Sequence, residues 1–125
     1  MLVVVDDTLP SRYVTAHVLS NAGYDVREAA TGMEALRLAR LGAQLVVLDL
    51  KLPDISGFEV CTRLKGDPAT AAIPVLMKTA AHVTAEDRQR GLACGAAEYL
   101  IDPTPDQLVE VVARLVRGAD QSWSS

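Results

Sequence analysis

The stretch "QLVVLDL", Gln44 to Leu50, is the clearest strand in the chain and decides how the rest is read. Leu45 to Leu48 form a continuous apolar run, and Asp49 follows directly. A carboxylate in that place emerges from a dry strand into a cleft, where it is suited to act as a nucleophile. The neighbouring elements determine what kind of sheet this strand belongs to and what stands beside Asp49.

Downstream, a helix begins at about Gly57, presents Phe58, Cys61 and Leu64, and ends at Asp67-Pro68. Upstream, Thr31-Gly32-Met33-Glu34 reads as a capping box opening a helix that carries Leu36 and Ala39 inward and ends near Gly42. Before it come a weaker strand, "YDVREA", and a helix from about Pro10 with Val14, Val18 and Ala22 on one face. "LVVV", Leu2 to Val5, is short, β-branched and continuous, as a strand buried on both faces should be. "IPVLMKT" is the fourth strand. The segment after it, "AEDRQRGLACG", contains Gly91 and has a poor apolar face, which makes it the weakest of the helices. "AAEYLI" is the fifth strand, and Thr104-Pro105-Asp106-Gln107 caps a last helix with Leu108, Val111, Val112 and Leu115 inward. Five strand-then-helix units make an α/β fold, an open parallel sheet with helices on both faces.

Composition narrows the function. At 125 residues one domain is expected, spanning 1–118, with 119–125 as a tail or the start of a linker. A net charge of -4 leaves no basic stripe for nucleic acid. No apolar run approaches the ~20 residues that span a bilayer. The N-terminus has no signal-peptide pattern, and Cys61 and Cys94 are not in a C-x-x-C pair, so a cytoplasmic protein with two ordinary thiols is expected.

In such sheets ligands gather at the carboxyl ends of the strands. Those ends carry Asp6-Asp7, Asp49, Thr79 and Asp102-Pro103. Three carboxylates brought together repel and raise one another's pKa, and a hard divalent cation such as Mg2+ relieves this with oxygen ligands. One acid per turn also serves as a helix cap, and Asp7 or Thr8 suits that work. The convergence of Asp6, Asp7 and Asp49 goes beyond capping.

Taken together, "VVVDD", "VVLDLKLPDISGFEV", "IPVLMKTA" and "GAAEYLIDP" resemble the receiver domain of two-component response regulators, of the chemotaxis-regulator type, from Leu2 to about Val116. The resemblance implies a flavodoxin-like sheet of five parallel strands in order 2-1-3-4-5. It makes Asp49 the phosphoacceptor for a histidine kinase or histidine phosphotransfer protein. Mg2+ is then held by Asp7, by Asp6 mainly through water, by Asp49 and by the backbone carbonyl of Lys51. Thr79 is the hydroxyl that turns to the phosphoryl group, and Tyr99 the aromatic switch that moves with it; the alternative for Tyr99 is a half-buried aromatic with its hydroxyl in water. Pro103 matches a proline after a cis peptide bond. Helix four, strand five and helix five form the usual dimer or partner surface. The domain is a signalling switch, not a conventional enzyme.

The chain departs from the family at Asp102, where the resemblance calls for a lysine beside the phosphate. An anion there has the wrong sign for a phosphorylated state. Three readings follow: Mg2+ supports a weaker phosphorylation of Asp49; the domain is a pseudo-receiver that acts by phosphate-independent binding; or Asp102 turns outward and another cation compensates. Lys78 is the obvious substitute, but strand alternation points it away from Thr79, and a strand-end lysine reaching solvent is the simpler assignment. Lys51 overhangs the site and can meet Asp102 in a weak surface pair. His82 is expected to be exposed. The first reading is preferred, since the acid pair, acceptor and hydroxyl are all present. A phosphatase or dehalogenase with a D-x-D nucleophile does not fit Asp49-Leu50-Lys51, and "DDTLPS" is not the phosphate cradle of a flavin binder.

Overall fold

A computed structural model of the chain describes residues 1–79 and 84–121. The elements alternate as β1 (Leu2–Val5), α1 (Leu9–Asn21), β2 (Val26–Ala29), α2 (Gly32–Ala39), β3 (Leu45–Leu48), α3 (Gly57–Gly66), β4 (Val75–Thr79), α4 (Ala85–Ala93), β5 (Glu98–Ile101) and α5 (Pro105–Gln121). The strands form one parallel sheet in the order β2-β1-β3-β4-β5, the expected flavodoxin-like arrangement. His82 and Trp123 lie outside the described residues.

Strand alternation divides the interior into two cores. Val3, Val5, Val46, Leu48, Val75, Met77 and Tyr99 face α2, α3 and α4. Leu2, Val4, Leu45, Val47, Leu76 and Leu100 face α1 and α5, where Leu19, Leu108, Val112 and Val116 cover them. The register aligns Val5 with Leu48 and Leu48 with Met77, so β1, β3 and β4 finish at nearly one level. That alignment brings the residues following the strands to a single edge.

Several local expectations are corrected. On α1 the buried residues are Thr15, Ala16 and Leu19, whereas Val14 is 58% exposed and joins Leu9 and Tyr13 on the outside. Both sides of this helix carry apolar residues, so periodicity alone does not choose between them. At α2, Thr31 accepts from the Glu34 N–H, but the Glu34 carboxylate turns to Arg37 instead of closing the box. Asp54 takes its place, accepting from the N–H groups of Gly32 and Met33 at 2.8 and 2.9 Å. Those two bonds hold its carboxyl below the ordinary range.

Helix α4 forms fully, with a reciprocal capping box between Thr84 and Asp87. Gly91 is its buried position, since a Cβ there would stand 3.0 Å from Met77 Sδ and from two ring carbons of Tyr99. The glycine that weakens the helix in sequence is what lets it lie against the sheet. Helix α5 opens with the expected reciprocal Thr104–Gln107 bonds and runs to Gln121, past the expected boundary at 118. No peptide bond among the described residues is cis, so the expectation for Pro103 is not met. Asp102 instead has φ 44°, the left-handed region. Cys61 and Cys94 are both free thiols, and burial pushes the Cys61 thiol up to about 12, so it stays protonated and inert.

Candidate phosphoryl site at the strand ends

Asp6 follows β1 and is 7% exposed. It is pinned by the Thr8 N–H at 2.9 Å, while its backbone carbonyl accepts from the Arg12 guanidinium at 2.8 Å. Asp7 is exposed at the rim. Asp49 follows β3 and accepts from the Leu50 N–H at 2.7 Å. One carboxylate oxygen from each of Asp6, Asp7 and Asp49 lies within 4.8 Å of the others.

This closeness has an electrostatic consequence. Burial, then the charge of Asp6 and to a smaller extent that of Asp7, push the Asp49 carboxyl above its ordinary value. The N–H groups of Leu50 and Lys51 oppose the shift without cancelling it. The donor set is all hard oxygen. Octahedral Mg2+ with ~2.1 Å bonds brings its ligand oxygens to roughly 3 Å (cis) and 4 Å (trans) of one another, so oxygens within 4.8 Å fit such an ion after small adjustments.

The acids open into a cavity of about 430 Å³ whose wall also includes Ser11, Lys51, Lys78 and Thr79. Thr79 is the last residue of β4 and is buried. A larger depression of about 890 Å³ lies between α2 and α3 beside Arg37, Arg40 and Arg63, but it holds none of the strand-end acids.

Of the residues weighed for the site, Asp102 takes the outward position of the third reading, and Lys78 departs from its expected place. Asp102 is exposed and does not line the cavity; its N–H donates to the Thr79 carbonyl at 2.7 Å. Lys78, expected to reach solvent on the far side, does line it. Tyr99, with Met77 and Thr79, faces the α3–α4 side of the sheet. Its ring is 3% exposed and its hydroxyl is buried without a hydrogen-bond partner among the described residues, so the hydroxyl does not stand in water.

Gly57 was not singled out as a site residue, yet it sets the position of Asp49. A Cβ on Gly57 would collide with the Asp49 carbonyl oxygen and stand 2.9 Å from the Leu50 Cα. Only glycine allows α3 to begin this close to the end of β3, where the Gly57 N–H donates to the Leu50 carbonyl at 2.8 Å.

Comparison with known proteins bears on the family and the fold. A family model described as the response regulator receiver domain matches residues 2–113. The DNA-binding dual master transcriptional regulator RpaA of Synechocystis sp. is 40% identical over 97% of this chain and 50% of its own length. The phosphate regulon transcriptional regulatory protein PhoB of Rhizobium meliloti is 35% identical over 99% of this chain and 56% of its own. The chain thus spans about half the length of these curated relatives. Among solved structures, the chemotaxis protein CheY4 of Vibrio cholerae superposes with a TM-score of 0.84 at 32% identity, covering 91% of this chain and 96% of that one. A CheY-like receiver domain protein from Methanospirillum hungatei reaches 0.88 at 26% identity, covering 97% and 96%.

Proposed function

The chain belongs to the response regulator receiver domain family, and we propose that it accepts a phosphoryl group on Asp49 from a phosphohistidine donor. The observation that carries this is the convergence of Asp6, Asp7, Asp49 and Thr79 on one cavity at the carboxyl edge of the sheet. In the transfer, an Asp49 carboxylate oxygen attacks phosphorus in line. The phosphorus–nitrogen bond breaks, and the donor histidine leaves with the electron pair and takes up a proton. There is little covalent work beyond positioning and charge neutralisation. Asp6, Asp7, Asp49 and the Lys51 carbonyl would hold Mg2+, which when bound neutralises the acids and one phosphoryl oxygen. The Thr79 hydroxyl donates to a second oxygen.

Tyr99 carries the signal onward. A buried tyrosine hydroxyl without a partner among the described residues favours a side chain with a second position to adopt. Its ring lies beneath α4 at Gly91, and the adjoining surface exposes Leu92 and Ile101. We place the output contact, a second copy or another protein, on this α4–β5–α5 face.

The phosphodonor has its own surface. Leu9, Tyr13 and Val14 are each more than half exposed on α1, whose first turn includes Ser11 at the cavity wall. A helix of a histidine kinase or phosphotransfer protein docked there would bring its phosphohistidine to Asp49. Tyr13→Asp is expected to slow transfer from a phosphorylated histidine phosphotransfer protein by about tenfold or more. Its labelling by a small phosphodonor should stay unchanged. Equal loss with both donors would refute the docking role.

The direct test is mass. With Mg2+ and a small acyl phosphate the protein should gain one phosphoryl group, and a chelator should prevent the gain. Failure with both small donors and a phosphohistidine protein would favour the alternative, a pseudo-receiver that signals by phosphate-independent binding, as Asp102 in place of a lysine suggests.

A further inference from the structure

We propose that Lys78 is the cation that grips the transferred phosphoryl group, a role moved from the end of β5 to the penultimate residue of β4. The proposal rests on the phosphoryl-accepting reading above and adds the missing positive charge to it.

Placement is the first observation. Val4, Val47 and Leu76 face the α1–α5 core. Two residues further along each strand come Asp6, Asp49 and Lys78, so the same alternation puts these three on one side of the sheet edge. Lys78 points away from Thr79 and, for that reason, toward Asp49. A second, much smaller void below the cavity is walled by Val4, Val47, Asp6, Asp49 and Lys78. Lys78 therefore lines both the void beside the apolar strand residues and the acidic cavity.

Availability is the second. Lys78 makes no ion pair within 4.0 Å among the described residues, although three carboxylates share its cavity. Its ammonium is thus more than 4.0 Å from the oxygens of each of those carboxylates. Arg12 is committed, donating to the Asp6 carbonyl and to Glu28. Lys51 is exposed on the loop after β3. Lys78 is only partly exposed, so its charge is less screened by water.

Asp102 completes the case by its absence from the cavity. Its left-handed backbone ends β5 one residue earlier than a continued strand would, and its side chain is in solvent. The β5 end therefore supplies no cation to the cavity.

The test compares Lys78→Met and Lys78→Gln with Arg27→Met, an exposed cation on β2 outside the cavity, by two readouts. The first is phosphoryl adduct formed with a small acyl phosphate and Mg2+, by intact mass. The second is Mg2+ affinity of the unphosphorylated protein, by calorimetry. Both Lys78 variants should lose about tenfold or more in the rate of adduct formation, while binding Mg2+ more tightly because a like charge has left the cavity. Arg27→Met should leave adduct formation unchanged. Unchanged adduct in the Lys78 variants, with wild type still labelled, would overturn the assignment and leave the receiver reading intact. Loss of both adduct and Mg2+ binding would mean that Lys78 merely supports the fold, and equally overturns it. Wild type without adduct removes the underlying reading itself.

Discussion

Gly57→Ala should destabilise the protein and cripple phosphorylation of Asp49 together. The added methyl would occupy the place of the Asp49 carbonyl oxygen and crowd the Leu50 Cα. Both obstacles are backbone atoms, which cannot swing aside as a side chain can. Relief requires α3 to back away from β3, which breaks the 2.8 Å bond from the Gly57 N–H to the Leu50 carbonyl. Overpacking of this kind costs about 1–3 kcal/mol. The functional loss should be larger in proportion, because the strained peptide is that of the acceptor itself. A displacement of ~1 Å at a reacting group costs on the order of a hundredfold in rate. Thermal unfolding and the time course of adduct mass measure the two effects separately.

Gly66, in the same helix, provides the control. Nothing lies within 4 Å of a Cβ built there. Gly66→Ala should be neutral or stabilising by up to ~1 kcal/mol and should leave adduct formation alone. If both alanines behave alike, the Gly57 contact does not hold Asp49 in place. The loop between Asp49 and Gly57 is thus tied at its far end and midway. Gly57 fits it against β3, and midway Asp54 caps α2 through Gly32 and Met33. Such a loop presents the acceptor on a fixed backbone, which is what a transfer dominated by positioning needs.

How far the sequence could be read varied with the kind of signal. The four-residue apolar runs at Leu2–Val5 and Leu45–Leu48 announced buried strands, and the observed sheet uses both. The Thr104–Gln107 box fell where α5 begins, because capping is local chemistry. The acids at the strand ends were legible for the same reason, since a parallel sheet sends residues that follow its strands to one edge. Helix α1 was misjudged at Val14 because its apolar residues do not confine themselves to one stripe. In α4, Gly91 read as a breaker, although its missing side chain makes room for Tyr99.

The Lys78 placement was available in principle. Alternation separates Lys78 from Thr79, but the comparison that matters is with Asp49. Counting by twos from the apolar residues of each strand puts Lys78 and Asp49 on one side. Asp102 was a different matter. The same count puts Asp102 on that side as well, but its φ of 44° ends the strand's alternation before its side chain is placed. A single backbone dihedral of that kind leaves no trace in a hydrophobic pattern.

Asp49→Asn should abolish the phosphoryl adduct while making the metal-free protein more stable, a pairing that few active-site substitutions share. The amide has no carboxylate oxygen to attack phosphorus, so adduct mass should vanish with both small and protein donors. The stability gain follows from the charge cluster. Burial and the neighbouring Asp6 raise the folded-state pKa of Asp49 above its ordinary 3.8. The folded protein therefore binds this proton more readily than the unfolded chain does. The resulting stability is fully present below 3.8 and is lost as pH rises through the raised value. At neutral pH the wild-type protein holds an unfavourable charge that asparagine lacks. In chelator, the variant should unfold a few degrees higher at pH 7, and the gap should close in acid. Added Mg2+ should reverse the order, because wild type binds the ion more tightly and gains about 2.7 kcal/mol at a hundred times its Kd. Were the variant no more stable than wild type in chelator at pH 7, the three acids would not be repelling one another in the folded state. The case for a cation shared by Asp6, Asp7 and Asp49 would then lose its electrostatic basis.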